Sequence, residues 1–351
     1  MKKFFPHFTI LIFILVTWVI PDNTIAQGKK EHVICIAFYN LENLFDTIDD
    51  PKVDDAEFTP SGSDQWDSRR YRNKLTHLAE AISKIGDDSV KTGAPVLVGL
   101  AEVENKQVLT DLINTPPLNE MKYKIVHYDS PDKRGIDVAL IYQPGMFKVK
   151  ESKAIPLRIE NKDDFFTRDI LQVSGTMKGQ SLYVLVNHWP SRSKGQSETA
   201  DFRNAAADLC RESVASILKS DPSADVIVMG DLNDDPTDES VLVHLGTTID
   251  PSNLSPAGIF NPMWRLFNEG KGTLEYKGKW NLFDQIIVSK GLMSDATNQY
   301  NFLKAGVFKK EWLLEQDGKY KGTPFRTYAG SKYLGGYSDH LPVYILLKKT
   351  K

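Results

Sequence analysis

Gly336-Tyr337-Ser338-Asp339-His340-Leu341-Pro342-Val343-Tyr344-Ile345-Leu346-Leu347 sets a polar triplet directly ahead of an apolar run rich in β-branched and aromatic residues. By length and composition the run 341–347 reads as a strand, so the polar groups sit at its start. Working outward, similar runs occur at 33–39, 95–100, 123–127, 138–142, 171–176, 182–186, 226–229 and 283–288. Between them lie helical stripes: Leu75, Leu78, Ile82 and Ile85 make one, and Ala206, Leu209, Val214 and Ile217 approximate another. Asp235-Pro236 reads as an N-cap followed by a first-turn proline, which predicts a third helix there. The segment 247–279 has weak periodicity and reads as a long decorated connection. Many strands and few helices, without strict alternation, predict an α/β fold of mixed sheets with helices outside.

The polar residues obey a positional rule. Asn40 follows the first strand, Glu102 the second, Asn187-His188 a later one, and Gly230-Asp231-Leu232-Asn233 the run 226–229. Asp284 and Ser338-Asp339-His340 instead stand at strand starts. If the second kind of strand runs antiparallel to the first, all six groups meet along one sheet edge. Four carboxylates there (Glu102, Asp231, Asp284, Asp339) require raised pKa values or a cation to neutralise them. Carboxylates with amides are hard oxygen donors, suited to Mg²⁺ or Mn²⁺.

Taken singly, each group has a plainer reading as an Asx turn or a packed histidine. Asp231-x-Asn233-x-Asp235 begins like an EF-hand loop but has Pro236 where glycine is needed and Leu242 where glutamate is needed. Gly336-x-Ser338 lacks the second glycine of a nucleophile elbow and precedes a strand, not a helix. No P-loop, H-E-x-x-H or paired-cysteine zinc motif is present in the sequence.

The 351-residue chain opens with Lys2-Lys3, an apolar stretch over 8–20, Pro21 and the small-residue sequence Thr24-Ile25-Ala26. This is the pattern of a signal peptide over 1–26, its apolar stretch short for a membrane span with an uncleaved anchor as the alternative, and it predicts an exported, periplasmic or extracellular protein. The remaining residues 27–351 show no linker, repeat or low-complexity stretch, so one large domain is expected. Net charge is −3, and loss of Lys2, Lys3 and Asp22 leaves −4, which is no sign of a strongly basic nucleic-acid surface. The two cysteines, Cys35 and Cys210, fit either a disulfide or two buried thiols.

Asn40 to Leu44, Glu102-Val103, Asn187-His188, Gly230 to Asn233, Asp284 to Val288 and Ser338 to Pro342 stand in an order that resembles the endonuclease/exonuclease/phosphatase superfamily. The likeness spans 33–348. It implies a four-layer α/β/β/α sandwich of two mixed β-sheets flanked by helices, and a Mg²⁺-dependent phosphoesterase. The resemblance makes Glu102 the main metal ligand with Asn40 and Asp339 close to the ion. Asp231, assisted by Asn233, then activates the attacking water. His340, positioned by Asp284, contacts the phosphate, and His188 lies on the leaving-group side. A carboxylate beside His340 raises its pKa and keeps it cationic.

Two departures stand out: Ala101 replaces a glutamine frequent in the family, and Glu104 replaces a deoxyribonuclease-type arginine. Arg134, Arg168, Asn187, Arg192 and Lys194 are the expected substrate contacts, and a weaker expectation pairs Asp137 with His188. Export, Trp189 and the basic loop 190–195 favour a nuclease acting on DNA or RNA. The alternative is a phosphodiesterase or phosphatase for lipid or small phosphate esters, with Trp264 and Trp280 available at the site mouth. An inactive binding module would have lost some of these positions, and none is lost. No obligate protein partner is implied.

Overall fold

In a computed structural model the described residues are 1–4 and 31–350, apart from 89, 91, 160, 163 and 295. Residues 5–26 of the expected signal peptide lie outside them. Strands β1 (Glu31–Leu44), β2 (Leu97–Val103), β3 (Lys124–His127) and β4 (Asp137–Tyr142) come first, with helices α1 (Ser68–Lys84) and α2 (Lys106–Asn114) between them. Then come β5 (Phe147–Ile155), β6 (Ile170–Met177), β7 (Gln180–His188), helix α3 (Ala200–Ser220) and β8 (Asp225–Asp231). The short strands β9 (Thr247–Thr248) and β10 (Ile259–Phe260) precede α4 (Met263–Asn268) and a hairpin of β11 (Leu274–Tyr276) and β12 (Lys279–Asn281). The chain finishes with β13 (Asp284–Ser289), β14 (Tyr300–Val307), the hairpin β15 (Tyr328–Ala329) and β16 (Lys332–Tyr333), and β17 (Val343–Thr350).

Two mixed sheets result, in the orders β14-β17-β1-β2-β4-β3 and β5-β6-β7-β8-β13-β10-β9. Each has a central parallel pair, β1/β2 and β7/β8, joined by a crossover carrying α1 or α3. Strand alternation explains the layering. Ile34, Ile36 and Phe38 of β1 pack with Val184, Val186, Ile227, Met229 and Ile286 in the core between the sheets. Cys35, Ala37 and Tyr39 face the other way, onto Leu75, Leu78 and Ile82 of α1 and Leu109 of α2. On the second sheet Val226, Val228 and Ile287 meet Ala206, Cys210, Val214 and Ile217 of α3. Strands buried on both faces read as continuous apolar runs, which is why these were legible. The architecture is the four-layer α/β/β/α sandwich expected. Gly99 permits the sheets to approach, because a Cβ there would lie 2.5 Å from Met229 Sδ.

Two expectations change and one open alternative is decided. β5 and β14 escaped the sequence reading because both lie at sheet edges, where only one face is buried and charges interrupt the run. No α-helix starts at Asp235-Pro236; a turn leads into a π-helical turn at Ser240–His244. The Asp235 carboxylate accepts instead from the Leu282 amide at 2.7 Å, so a tertiary contact takes the cap. Cys35 and Cys210 are both free and buried, in the two opposite outer layers. Among the described residues, no helix is long and apolar enough to cross a membrane.

Candidate active site

Every residue of the expected constellation is delivered by a strand terminus at one edge of the sandwich. β8 is the pivot: His188 of β7 and Asp284 of β13 are both cross-strand partners of Asp231. Gly230 makes this close register possible, since a Cβ there would sit 2.3 Å from the Asn187 carbonyl oxygen. From the other sheet, Asn40 at the end of the regular part of β1 reaches across, and its Nδ2 donates to Asp231 Oδ2 at 3.0 Å. The other oxygen, Oδ1, accepts from the Asn233 amide at 2.9 Å.

Glu102 arrives through a register break. β2 pairs β4 regularly to Ala101 and resumes at Val103, so Glu102 is the extra residue of a bulge that aims its side chain at the cleft. Its φ of +60° is left-handed, as are those of Glu42 (+51°), Asn43 (+53°) and Asn233 (+51°). Left-handed backbone at non-glycine residues costs on the order of 1 kcal/mol each and concentrates at functional sites. The Asn43 amide donates to Glu102 Oε2 at 2.9 Å, leaving Oε1 turned to the cleft, 3.9 Å from His188 Nε2.

The two histidines differ in charge. His340 Nδ1 lies 2.7 Å from Asp284 Oδ2, and its Nε2 lies 3.8 Å from Asp231 and 4.0 Å from Asp339. Burial alone would lower its pKa, but Asp284 and then Asp231 and Asp339 overcome this and raise it well above 6.5. His188 is pushed well below 6.5 by burial, with Arg168, Arg134 and His340 adding to the effect. It is therefore neutral. Its Nε2 faces the Glu102 and Asp231 carboxylates (3.9 and 3.7 Å), and its Nδ1 is buried without a hydrogen-bond partner among the described residues. Burial lifts the pKa of Asp231 to about 6, opposed chiefly by His340. A carboxyl poised near neutrality can take up a proton.

Asp231, Asp284 and His340 lie close enough to suggest a metal group. A protonated imidazole is no ligand, however, so the donors that fit a cation are Glu102, Asp339 and the Asn40 amide, beside Asp231. Glu102 and Asp339 keep partly exposed carboxylates, 15% and 31%, as ion access requires. An all-oxygen set with excess negative charge suits a hard divalent cation.

The expected substrate contacts divide. Arg134 donates to Asn43 Oδ1, beside the Glu102 loop. Lys194 is exposed and lines, with Lys133, Lys162, Thr167 and Arg168, a cleft of about 370 Å³. That cleft begins at Pro190, two residues past His188. The Arg168 guanidinium is already engaged, by the carbonyls of His188 (3.2 Å) and Trp189 (2.6 Å) and by Asp132 (3.1 Å). Arg192 is likewise committed to Asn233 O and Asp234, and stacks on Phe283.

Asn187 does not fit the expectation: it is buried, its Nδ2 donates to Leu185 and Met229 carbonyls, and its Oδ1 accepts from Trp189 Nε1. Trp189 itself is 2% exposed and serves the core, where it cannot stack on a base. Trp264 is only half-buried, and Lys309 covers Trp280 at 3.9 Å. Asp137 bonds His127 (2.9 Å) and Ser130, not His188. Glu42, Lys74 and Thr327, which back the site, carry no local signal in the sequence. Lys74 sits within a helical stripe like any surface lysine. Glu104, at the departure from a deoxyribonuclease arginine, accepts from the Asp46 amide and is pushed up to about 7, mainly by burial.

Residues 35–349 match the model of the Endonuclease/Exonuclease/phosphatase family. Among solved structures, the fold is similar to a D. rerio TDP2 humanized by 14 mutations, with 16% identity over 90% of this chain and 98% of that one, TM-score 0.55. D. rerio TDP2 complexed with single strand DNA product gives 17% identity over 90% and 98%, TM-score 0.52. A Bacteroides thetaiotaomicron mannosyl-6-phosphatase gives 17% identity over 90% and 99%, TM-score 0.54. At such identities these likenesses speak for the fold alone. No curated protein matches the sequence.

Proposed function

The chain belongs to the endonuclease/exonuclease/phosphatase family of metal-dependent phosphoesterases, and from that premise we propose that it is an exported Mg²⁺-dependent phosphodiesterase acting on DNA or RNA. The observation that carries the reading is the convergence on Asp231 of Asn40, Asn233, His188 and the His340–Asp284 pair, with Glu102 opposite. Glu102, Asp339 and Asn40 would hold Mg²⁺, or Mn²⁺ in its place. When bound, such an ion polarises phosphoryl oxygens and offsets charge on the leaving oxygen.

The remaining chemistry belongs to the side chains. Asp231, held by the Asn40 amide and the Asn233 N–H, accepts a proton from the attacking water. His340, cationic through Asp284, donates to a phosphoryl oxygen whose charge grows in the transition state. Neutral His188 carries its proton on Nε2, the atom facing two carboxylates, and orients the leaving side. Water attacks directly and no covalent enzyme intermediate forms.

The basic cleft past His188 supports a polyanionic substrate, because Lys133, Lys162 and Lys194 line it and bring positive charge to a chain whose net charge is negative. A small phosphate ester is the second reading, favoured by likeness to a mannosyl-6-phosphatase of the same fold. Protein beginning at Gln27 would be given plasmid DNA, RNA, bis(p-nitrophenyl) phosphate, sphingomyelin and inositol phosphates, with Mg²⁺ or with chelator. Mg²⁺-dependent polynucleotide cleavage is expected. Turnover of sphingomyelin or inositol phosphates without polynucleotide cleavage would replace the nuclease reading by the second one.

A further inference from the structure

Behind the constellation, Lys74 of α1 is 1% exposed, in a helix whose neighbouring inward positions are Leu75, Leu78 and Ile82. Lysine is almost never this buried unless it is paired. Its Nζ donates to Thr327 Oγ1 at 2.6 Å and to the Tyr337 carbonyl at 2.8 Å, and lies 3.6 Å from Glu42 Oε2. The same Glu42 oxygen accepts from the Thr327 amide (2.7 Å) and hydroxyl (2.8 Å). A buried ion pair of this kind is a weak source of stability, since apolar residues of similar volume commonly do as well. Its presence calls for another explanation.

The contacts lead outward along two routes. Through Glu42, whose left-handed backbone turns its amide inward, an N–H bond of 3.0 Å fixes Asn40 Oδ1. The Asn40 amide nitrogen is thereby directed at Asp231. Through Tyr337 the lysine holds the segment that continues into Ser338. The Ser338 hydroxyl donates to the Asn40 carbonyl at 2.7 Å and accepts from the His340 amide at 3.0 Å. One ammonium thus ties together the irregular end of β1, which carries Asn40, the loop before β17, which carries Asp339 and His340, and the segment at Thr327.

We infer that Lys74 is a positioning residue, which acts through Glu42, Thr327 and the Tyr337 carbonyl to fix the Asn40 and Asp339-His340 groups in one arrangement. The inference rests on the phosphoesterase reading, and two charge-conserving variants test it. Lys74→Arg keeps the charge and changes the geometry; Thr327→Val removes only the bridging hydroxyl. Each would be assayed for Mn²⁺ binding by paramagnetic resonance, for kcat and KM on bis(p-nitrophenyl) phosphate at saturating metal, and for Tm.

Weaker Mn²⁺ binding and a kcat lowered roughly 10- to 100-fold, with KM within about 2-fold, are expected below the melting transition. Variants with lowered Tm but Mn²⁺ affinity and kcat within about 2-fold of the parent would overturn the inference, leaving Lys74 a purely structural residue. Should Lys74→Arg fail to fold, Thr327→Val decides alone. A parent protein that binds Mn²⁺ but hydrolyses no phosphoester would instead defeat the phosphoesterase reading, and the binding measurement would still judge Lys74.

Discussion

The two halves of the sandwich use one plan to different ends. In each, a strand carries an asparagine near its C-terminal end (Asn40, Asn187), a helical crossover follows, and a parallel strand carries an acid at or next to its end (Glu102, Asp231). In each, the next antiparallel strand opens with an aspartate bound to a histidine: Asp137 to His127 at 2.9 Å, Asp284 to His340 at 2.7 Å. The difference lies in where the partners come from. His127 precedes Asp137 in the same sheet, and Ser130 takes the aspartate's other oxygen, so that pair closes its own loop. Asp284 instead captures a histidine at the mouth of β17, in the opposite sheet. The asparagines differ likewise, since Asn187 braces β7 and β8 from within while Asn40 crosses to Asp231. A site arises where the halves bond to each other, and structure alone where each bonds to itself.

The largest expected effect separates the two histidines. His340→Ala should lower kcat on the bis-ester by about 10²- to 10⁴-fold, the span of a lost acid–base or charge-stabilising group, while His127→Ala stays within about 2-fold. Comparable losses in both would erase the distinction between the halves.

A smaller contrast concerns the asparagines. Asn187→Ala takes the acceptor from Trp189 Nε1 and one donor from two buried carbonyls, so it should cost about 1–3 kcal/mol of stability with kcat little changed. Asn40→Ala should do the reverse, lowering kcat more than Tm, as paired denaturation and turnover measurements would show.

The mildest test is of pH. The folded pKa of Asp231, about 6, lies above that of an unfolded aspartate, near 4, so its favourable contribution is complete below about pH 4 and is lost as pH rises through about 6. Metal-free protein should therefore lose stability relative to Asp231→Asn across that window, by up to about 3 kcal/mol. A flat difference between the two melting curves from pH 4 to 7 would mean that burial does not penalise this carboxylate.

What the sequence disclosed follows the same division. Strands buried on both faces, such as Val226 to Met229, announce themselves because every position is apolar. The edge strands β5 and β14 do not, since Lys148, Lys150 and Lys304 interrupt them. The six polar groups were legible because a strand end fixes where its next residue points. Which of them face the cleft was not: Asn187 and Asn40 occupy equivalent positions, and only the tertiary partners of each decide. Glu42 and Lys74 lay beyond reach altogether, because they meet across 32 residues of sequence through Thr327, some 250 residues further along.

The two thiols described earlier give the molecule a pair of internal clocks. Cys35 lies under α1 and α2, Cys210 within α3, and each is fully shielded in its own outer layer. A thiol reagent can reach either one only when that layer opens, so the two labelling rates report two separate local unfolding free energies. Because the candidate-site seam joins the halves, a ligand bound across it should slow both clocks together, whereas one bound to a single half should slow one.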